Sequence, residues 1–96
     1  MPTFDALRNL RREILDAATR HGAHNVRVFG SVARGSDTPD SDVDLLVDFE
    51  PERSLYDLVE LQLDIESLLG RRADVVTEGS LSIYLRERVL AEARPL

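Results

Sequence analysis

Ninety-six residues, 43% hydrophobic and 31% charged, suit one small folded domain over 1–96 and leave no room for a second core. Cysteine is absent, which excludes disulfides and thiolate zinc sites, and no apolar run exceeds about three residues, too short to span a membrane. All 12 basic residues are arginine, set against 18 acids for a net charge of −6, which argues against general binding to nucleic-acid phosphates.

In chain order, Thr3 is placed to cap a first helix whose apolar stripe runs Leu7, Leu10, Ile14 and Ala18, with Leu15 beside it and Gly22 as its stop. The alternation over 26–29 is brief, but its β-branched content predicts a strand. Gly30-Ser31 breaks that strand, and Ser31 is placed to cap a short helical turn through Arg34 and Gly35. Residues 36–41 (SDTPDS) are turn-formers and read as a loop. From 43 to 49 the alternation is clean, with Val43, Leu45, Val47 and Phe49 on one face, and Pro51 ends it.

Ser54 with Asp57 forms a capping-box pattern ahead of a helix that carries Leu55, Leu58, Ile65, Leu68 and Leu69 to a stop at Gly70. Residues 73–77 predict a third strand. Gly79-Ser80 opens a last helix carrying Leu81, Tyr84, Leu85, Arg88 and Val89, and the stripes of both helices read as core. The order is αβ(α)βαβα, an α/β or α+β chain with one sheet of at least three strands packed with helices. Strand direction is not readable. His21 and His24 read as a surface pair at a helix end, Arg8, Arg11 and Arg12 as a solvated face, and Tyr56 and Tyr84 as helix-edge residues. Residues 91–96 are left free to dock on a partner.

Charge is unevenly spread. Residues 1–35 carry a net +3, whereas 36–52 hold Asp37, Asp40, Asp42, Asp44, Asp48, Glu50 and Glu52 with no basic residue. So many like charges repel unless something solvates or neutralises them. Asp42 and Asp44, two apart on a predicted strand, leave it on one face with Cα atoms roughly 6.6 Å apart. Carboxylates so placed can converge on a hard cation, or on two cations as phosphoryl transfer requires, and Asp74 on the next strand could supply a third. An EF-hand from Asp40 fails, because Leu45 stands where glycine is needed and Pro51 where glutamate is needed. A Walker A loop fails as well, since GSVARGS over 30–36 has no lysine. Just upstream, Gly30 and Ser31 open a helical turn whose N–H groups and hydroxyl suit an anion, and Arg34 lies one turn on.

These motifs resemble a minimal nucleotidyltransferase (MNT) domain of the DNA polymerase β superfamily. The resemblance rests on GSVARG over 30–35, ten residues between Ser31 and Asp42, SDVDLLV over 41–47, LLGRRADVVT over 68–77 and VLAEA over 89–93, so it covers nearly the whole chain. It implies the nucleotidyltransferase fold with a mixed sheet. It implies candidate catalytic residues Asp42, Asp44 and Asp74 holding two Mg²⁺ ions, and a nucleotide-binding set of Gly30, Ser31 and Arg34 with ATP as substrate. No position of the pattern is lost, so the resemblance implies an active enzyme. Stand-alone members are typically the antitoxins of type VII toxin–antitoxin modules, which implies AMP transfer to a tyrosine of a HEPN-domain toxin. Two other readings remain open: an antitoxin that neutralises by binding alone, and a transferase acting on a small molecule or an RNA end. A homo- or hetero-oligomer is left open, and no membrane partner is expected. The N-terminus MPTFDALRNLRREI lacks a secretory apolar stretch, so the cytoplasm is the expected compartment.

Overall fold

The computed structural model describes residues 3–96. What the sequence reads as one N-terminal helix is two, α1 (Thr3–Asn9) and α2 (Arg11–Arg20), because Leu10 leaves helical geometry at φ −100°, ψ 12°. Leu7, Ile14 and Ala18 are buried as the stripe requires, and Phe4 and Ala17 join them. Thr3 is the first helical residue of α1 rather than its cap, and its hydroxyl hydrogen-bonds the Asp37 carboxylate.

Strand β1 (Ala23–Phe29) begins three residues before the readable alternation. The reason is a bulge. Asn25 takes φ 54°, a left-handed conformation that asparagine tolerates, and the pairing with the next strand shifts register between His24 and Arg27. Asn25 is held there by a 2.9 Å bond from its amide nitrogen to Asp48 Oδ2. Helix α3 (Gly30–Arg34) follows at once, with Ser31 inside its first turn and Phe29 at the cap position. Strand β2 (Val43–Phe49) starts one residue after Asp42, which therefore sits at the strand's mouth. Val43, Leu45 and Val47 are buried as expected, and Leu46 on the opposite face is buried too, so both faces of β2 are covered.

Helix α4 (Leu55–Leu69) opens on the anticipated Ser54–Asp57 capping box and stops at left-handed Gly70. It carries the chain back so that β3 (Ala73–Val76) runs parallel to β2, the crossover that parallel strands demand. A 3₁₀ turn (Glu78–Ser80) stands where the last helix was expected to open; that helix, α5, spans Ile83–Glu92. Residues 91–96 do not stay free. Arg94–Pro95 form β4, antiparallel to β1, and Leu96 is buried with its N–H donating to the Val26 carbonyl at 3.1 Å. Arg11, read as a solvated arginine, donates from Nε to the Leu96 carbonyl at 3.1 Å and fixes that end. The mixed sheet runs β3-β2-β1-β4. Among the described residues no helix is long and apolar enough to cross a membrane.

The stripes of α4 and α5 are core only in part. Leu61 and Ile65 are buried, but Leu55 is 73% exposed and α5 buries Val89 alone. Helix α4 carries apolar side chains on two sides and has β3 and α2 on one. Tyr56 and Tyr84 stand out in solvent rather than packing at helix edges. His21 is no surface residue either: its ring nitrogen Nε2 meets Asp64 Oδ2 at 2.7 Å, tying α2 to α4.

Candidate active site

Antiparallel β1 ends where parallel β2 and β3 begin, so three strand ends meet at one side of the sheet. In the register, Asp44 pairs with Phe29 on one flank and Asp74 on the other. Residues paired in register across a sheet share a face, so Asp44 and Asp74 project together. Asp42 lies two residues earlier on the same face as Asp44. The three carboxylates singled out in the sequence are therefore brought to one place from two strands, with the Gly30 turn beside them.

Gly30 is there for contact. Its φ is +72°, and a Cβ on it would stand 2.2 Å from Asp44 Oδ2, so only glycine lets the turn approach the carboxylate this closely. Ser31 follows, its hydroxyl without a partner among the described residues. The α3 backbone is braced by the Ser36 N–H donating to the Ser31 carbonyl at 2.9 Å.

The electrostatics of the cluster are unfavourable as it stands. Burial first, then repulsion by Asp74 and by Asp42, pushes the Asp44 carboxyl up to about 6, against the pull of Arg34; Glu92 adds to the push. Neither Asp44 nor Asp74 makes an ion pair or side-chain hydrogen bond among the described residues. Asp42 Oδ1 lies 3.5 Å from Arg72 Nε, a contact whose arginine is almost wholly in solvent. Among the described residues no group of three or more His, Cys, Asp or Glu side chains closes into a ready-made metal cage. The donor set nonetheless fits Mg²⁺, which takes hard oxygens from one or two carboxylates and completes its shell with phosphates and water. Crowded negative charge that raises Asp44 is what such a cation would relieve.

Arg34 is present at the site but engaged. Its Nη1 contacts both oxygens of the Glu92 carboxylate, at 3.2 and 2.9 Å, and the Gly30 N–H donates to Glu92 Oε1 at 3.2 Å. Sequence reasoning missed Glu92. It lies 62 residues from Gly30, and no local spacing marks it; only the tertiary placement of α5 reveals it.

The nucleotidyltransferase domain family model matches residues 7–96. The protein adenylyltransferase MntA of Thermococcus cleftensis is 47% identical over 73 residues, which cover 76% of this chain and 74% of that protein. A candidate protein adenylyltransferase of Methanocaldococcus jannaschii is 38% identical over 87 residues, covering 91% of this chain and 94% of its own. A solved structure described as a candidate minimal nucleotidyltransferase superposes with a TM-score of 0.86 at 54% identity, covering 96% of this chain and 94% of that one. One chain of a toxin–antitoxin complex crystallised with AMP-PNP shares the fold at a TM-score of 0.74 and 22% identity, over 88% of this chain and 69% of that one. The chain belongs to the nucleotidyltransferase domain family, as a minimal member of it.

Proposed function

We propose that this nucleotidyltransferase transfers AMP from ATP to a hydroxyl of a partner protein, a tyrosine of a HEPN-domain toxin, and thereby acts as the antitoxin of a type VII module. The observation that carries the reading is the meeting of Asp42, Asp44 and Asp74 beside the Gly30 turn. The naming of two relatives as protein adenylyltransferases supports AMP as the group and protein as the acceptor. The toxin–antitoxin neighbour that holds AMP-PNP shares the fold and is consistent with both.

In this reading Asp42 and Asp44 hold the Mg²⁺ that travels with the nucleotide, and with Asp74 they hold a second. When bound, the metal neutralises charge on the triphosphate and favours the deprotonated acceptor oxygen. The protein's own groups position the reactants. The Gly30 N–H and Ser31 hydroxyl receive phosphate oxygens, the close packing of Gly30 on Asp44 sets the phosphates against the carboxylates, and Arg34 offers charge-assisted bonds from the open side. The acceptor oxygen bonds to the α-phosphorus, the bond from that phosphorus to the β-phosphate oxygen breaks, pyrophosphate leaves, and the hydroxyl proton passes to solvent. Positioning and electrostatics supply the rate, as they do wherever phosphoryl groups transfer.

Binding alone is the second reading. The exposed Leu55, Tyr56, Val59 and Leu63 on α4 favour it, because they offer a partner apolar surface without any chemistry. One experiment separates the two. The chain is incubated with its cognate partner, ATP and Mg²⁺, and the partner is weighed by mass spectrometry. Transfer predicts an added AMP mass that disappears with Asp42→Ala. Neutralisation by Asp42→Ala with no adduct in either sample would replace transfer by binding.

A further inference from the structure

The phosphate-facing donors of the site already hold an anion, and it comes from the chain itself. Glu92, in the last turn of α5, receives the Gly30 N–H at 3.2 Å and both contacts of Arg34, at 3.2 and 2.9 Å. Its side chain is only 20% exposed, and it lies close enough to Asp44 to be among the groups that raise its pKa. A carboxylate here presents two oxygens as a phosphate does, and one guanidinium nitrogen, Arg34 Nη1, meets both of them. It also adds a negative charge to a cluster that already holds three.

We propose that Glu92 is an intramolecular stand-in for the nucleotide's phosphates: it occupies the Gly30 N–H and Arg34 while the site is empty and gives them up to a triphosphate, loosening α5 as it leaves. The inference rests on the assignment of Gly30 and Arg34 as phosphate donors made above. Its physical basis is exclusion. The single Gly30 N–H cannot serve a carboxylate and a triphosphate at once, Arg34 Nη1 is turned to Glu92, and the two anions repel at contact distance. The consequence for α5 follows from how little else holds that helix. Val89 is its one buried residue, while Ile83, Tyr84, Leu85 and Leu90 face solvent. Beyond Glu92 the chain is pinned again by β4 and Leu96, so release of Glu92 frees a helix tethered at its C-terminal end.

Coupling of this kind is reciprocal: whatever ATP does to α5, fixing or freeing α5 must do to ATP affinity. Where Glu92 closes most molecules, the apparent affinity for ATP falls in proportion to the fraction that stays open. Glu92 therefore sets the threshold for nucleotide entry, and the apolar side of α5 becomes a surface whose mobility reports nucleotide occupancy.

The test uses the full chain, ATP with Mg²⁺ as the probe, and Glu92→Gln, which keeps shape and removes charge, with Glu92→Ala as the second variant. Both should bind ATP about tenfold more tightly than the native chain. Amide hydrogen exchange over 83–92 should quicken when ATP is added to the native chain, and should be quick and unresponsive to ATP in the variants. Weaker ATP binding by both variants would overturn the proposal and make Glu92 a residue that positions Arg34. Tighter binding with exchange in α5 unchanged by ATP in the native chain would also overturn it, leaving simple charge repulsion. If only the variants bind ATP, the stand-in is supported. If neither the native chain nor the variants bind ATP, the nucleotidyl-transfer reading and the stand-in fall together, whereas ATP binding with no role for Glu92 removes the stand-in alone.

Discussion

Asp44 and Asp64 are both partly exposed aspartates on regular elements, and their surroundings push them in opposite directions. Asp64 on α4 meets His21 Nε2 at 2.7 Å and Arg20 at 3.6 Å, and the hydrogen bond from His21 holds its carboxyl below the usual range. Asp57, at the start of the same helix, is likewise lowered, chiefly by the backbone N–H of Ser54. Asp44 has no such partner among the described residues; burial and two neighbouring aspartates drive it up to about 6. One region uses its acids to join α2, α4 and the loop before it. The other gathers acids that the fold compensates only weakly, through a solvent-exposed Arg72 at Asp42 and the pull of Arg34 on Asp44. A structure keeps charges in that state where a ligand is to supply the missing counter-charge, so the contrast separates acids that hold the fold from acids that serve the site.

The largest effect expected is on transfer. Asp42→Ala and Asp44→Ala should each lower AMP transfer by about a thousandfold or more, read with ATP labelled at the α-phosphate, while circular dichroism stays native. Asp64→Ala should leave transfer within about twofold. A site acid that proved dispensable, or a loss of transfer in Asp64→Ala, would erase the distinction between the two regions.

Gly30→Ala tests the contact that shapes the site. It places a methyl group 2.2 Å from Asp44 Oδ2 at a backbone φ of +72°, so the turn or the carboxylate must shift. The expected result is a loss of transfer of about a hundredfold with about 2 kcal/mol of stability, read by urea unfolding. A fully active variant would show that the close approach of the turn to Asp44 is not needed.

Much of this contrast was readable beforehand, and the unread part has physical causes. The clean alternation over 43–49 put Asp42 and Asp44 on one face, and the short strand after Gly70 carried Asp74. That Asp74 falls opposite Asp44 required the strands to be parallel and in one register, and neither is written in local sequence. The bulge at Asn25 concealed the first half of β1, because one left-handed residue resets the alternation on which the reading depends. Strand β4 is two residues long and gives no periodic signal at all. The contact of Glu92 with Arg34 joins residues 58 apart, and so belongs to the packing of α5 alone. Likewise the apolar stripe of α4 gives the helix but not which of its two apolar sides meets the sheet.

The crowding at Asp44 should also be visible as lost stability. An acid whose pKa is raised in the folded state keeps a proton that the unfolded chain releases, so stability falls as pH rises from about 4 to about 6 and stays lowered above that. Removing the charge relieves this. In a chelator, at pH 7, Asp44→Asn should be more stable than the native chain by about 1–2 kcal/mol, allowing for solvent screening of a half-exposed group. At pH 4 the difference should vanish. A destabilised Asp44→Asn at pH 7 would mean that the carboxylate is compensated after all.

The opposite sign is expected at Asp64, and the effect is the smallest. Its pKa is lowered in the folded state, so the stability it contributes is present at neutral pH and is lost as pH falls through that lowered value. Exposure limits the size, since an ion pair partly in water contributes about 0.5 kcal/mol. His21, only 14% exposed, keeps the hydrogen bond from being wholly screened. Asp64→Asn should therefore melt about 2–4 °C below the native chain at pH 7, and the gap should narrow as pH falls below about 4. Plotted against pH, the stability differences of Asp44→Asn and Asp64→Asn should have opposite signs at neutral pH, and each should shrink toward zero in acid. Curves of the same sign would mean that both acids sit in one kind of environment, and the exceptional standing of Asp44 would be lost.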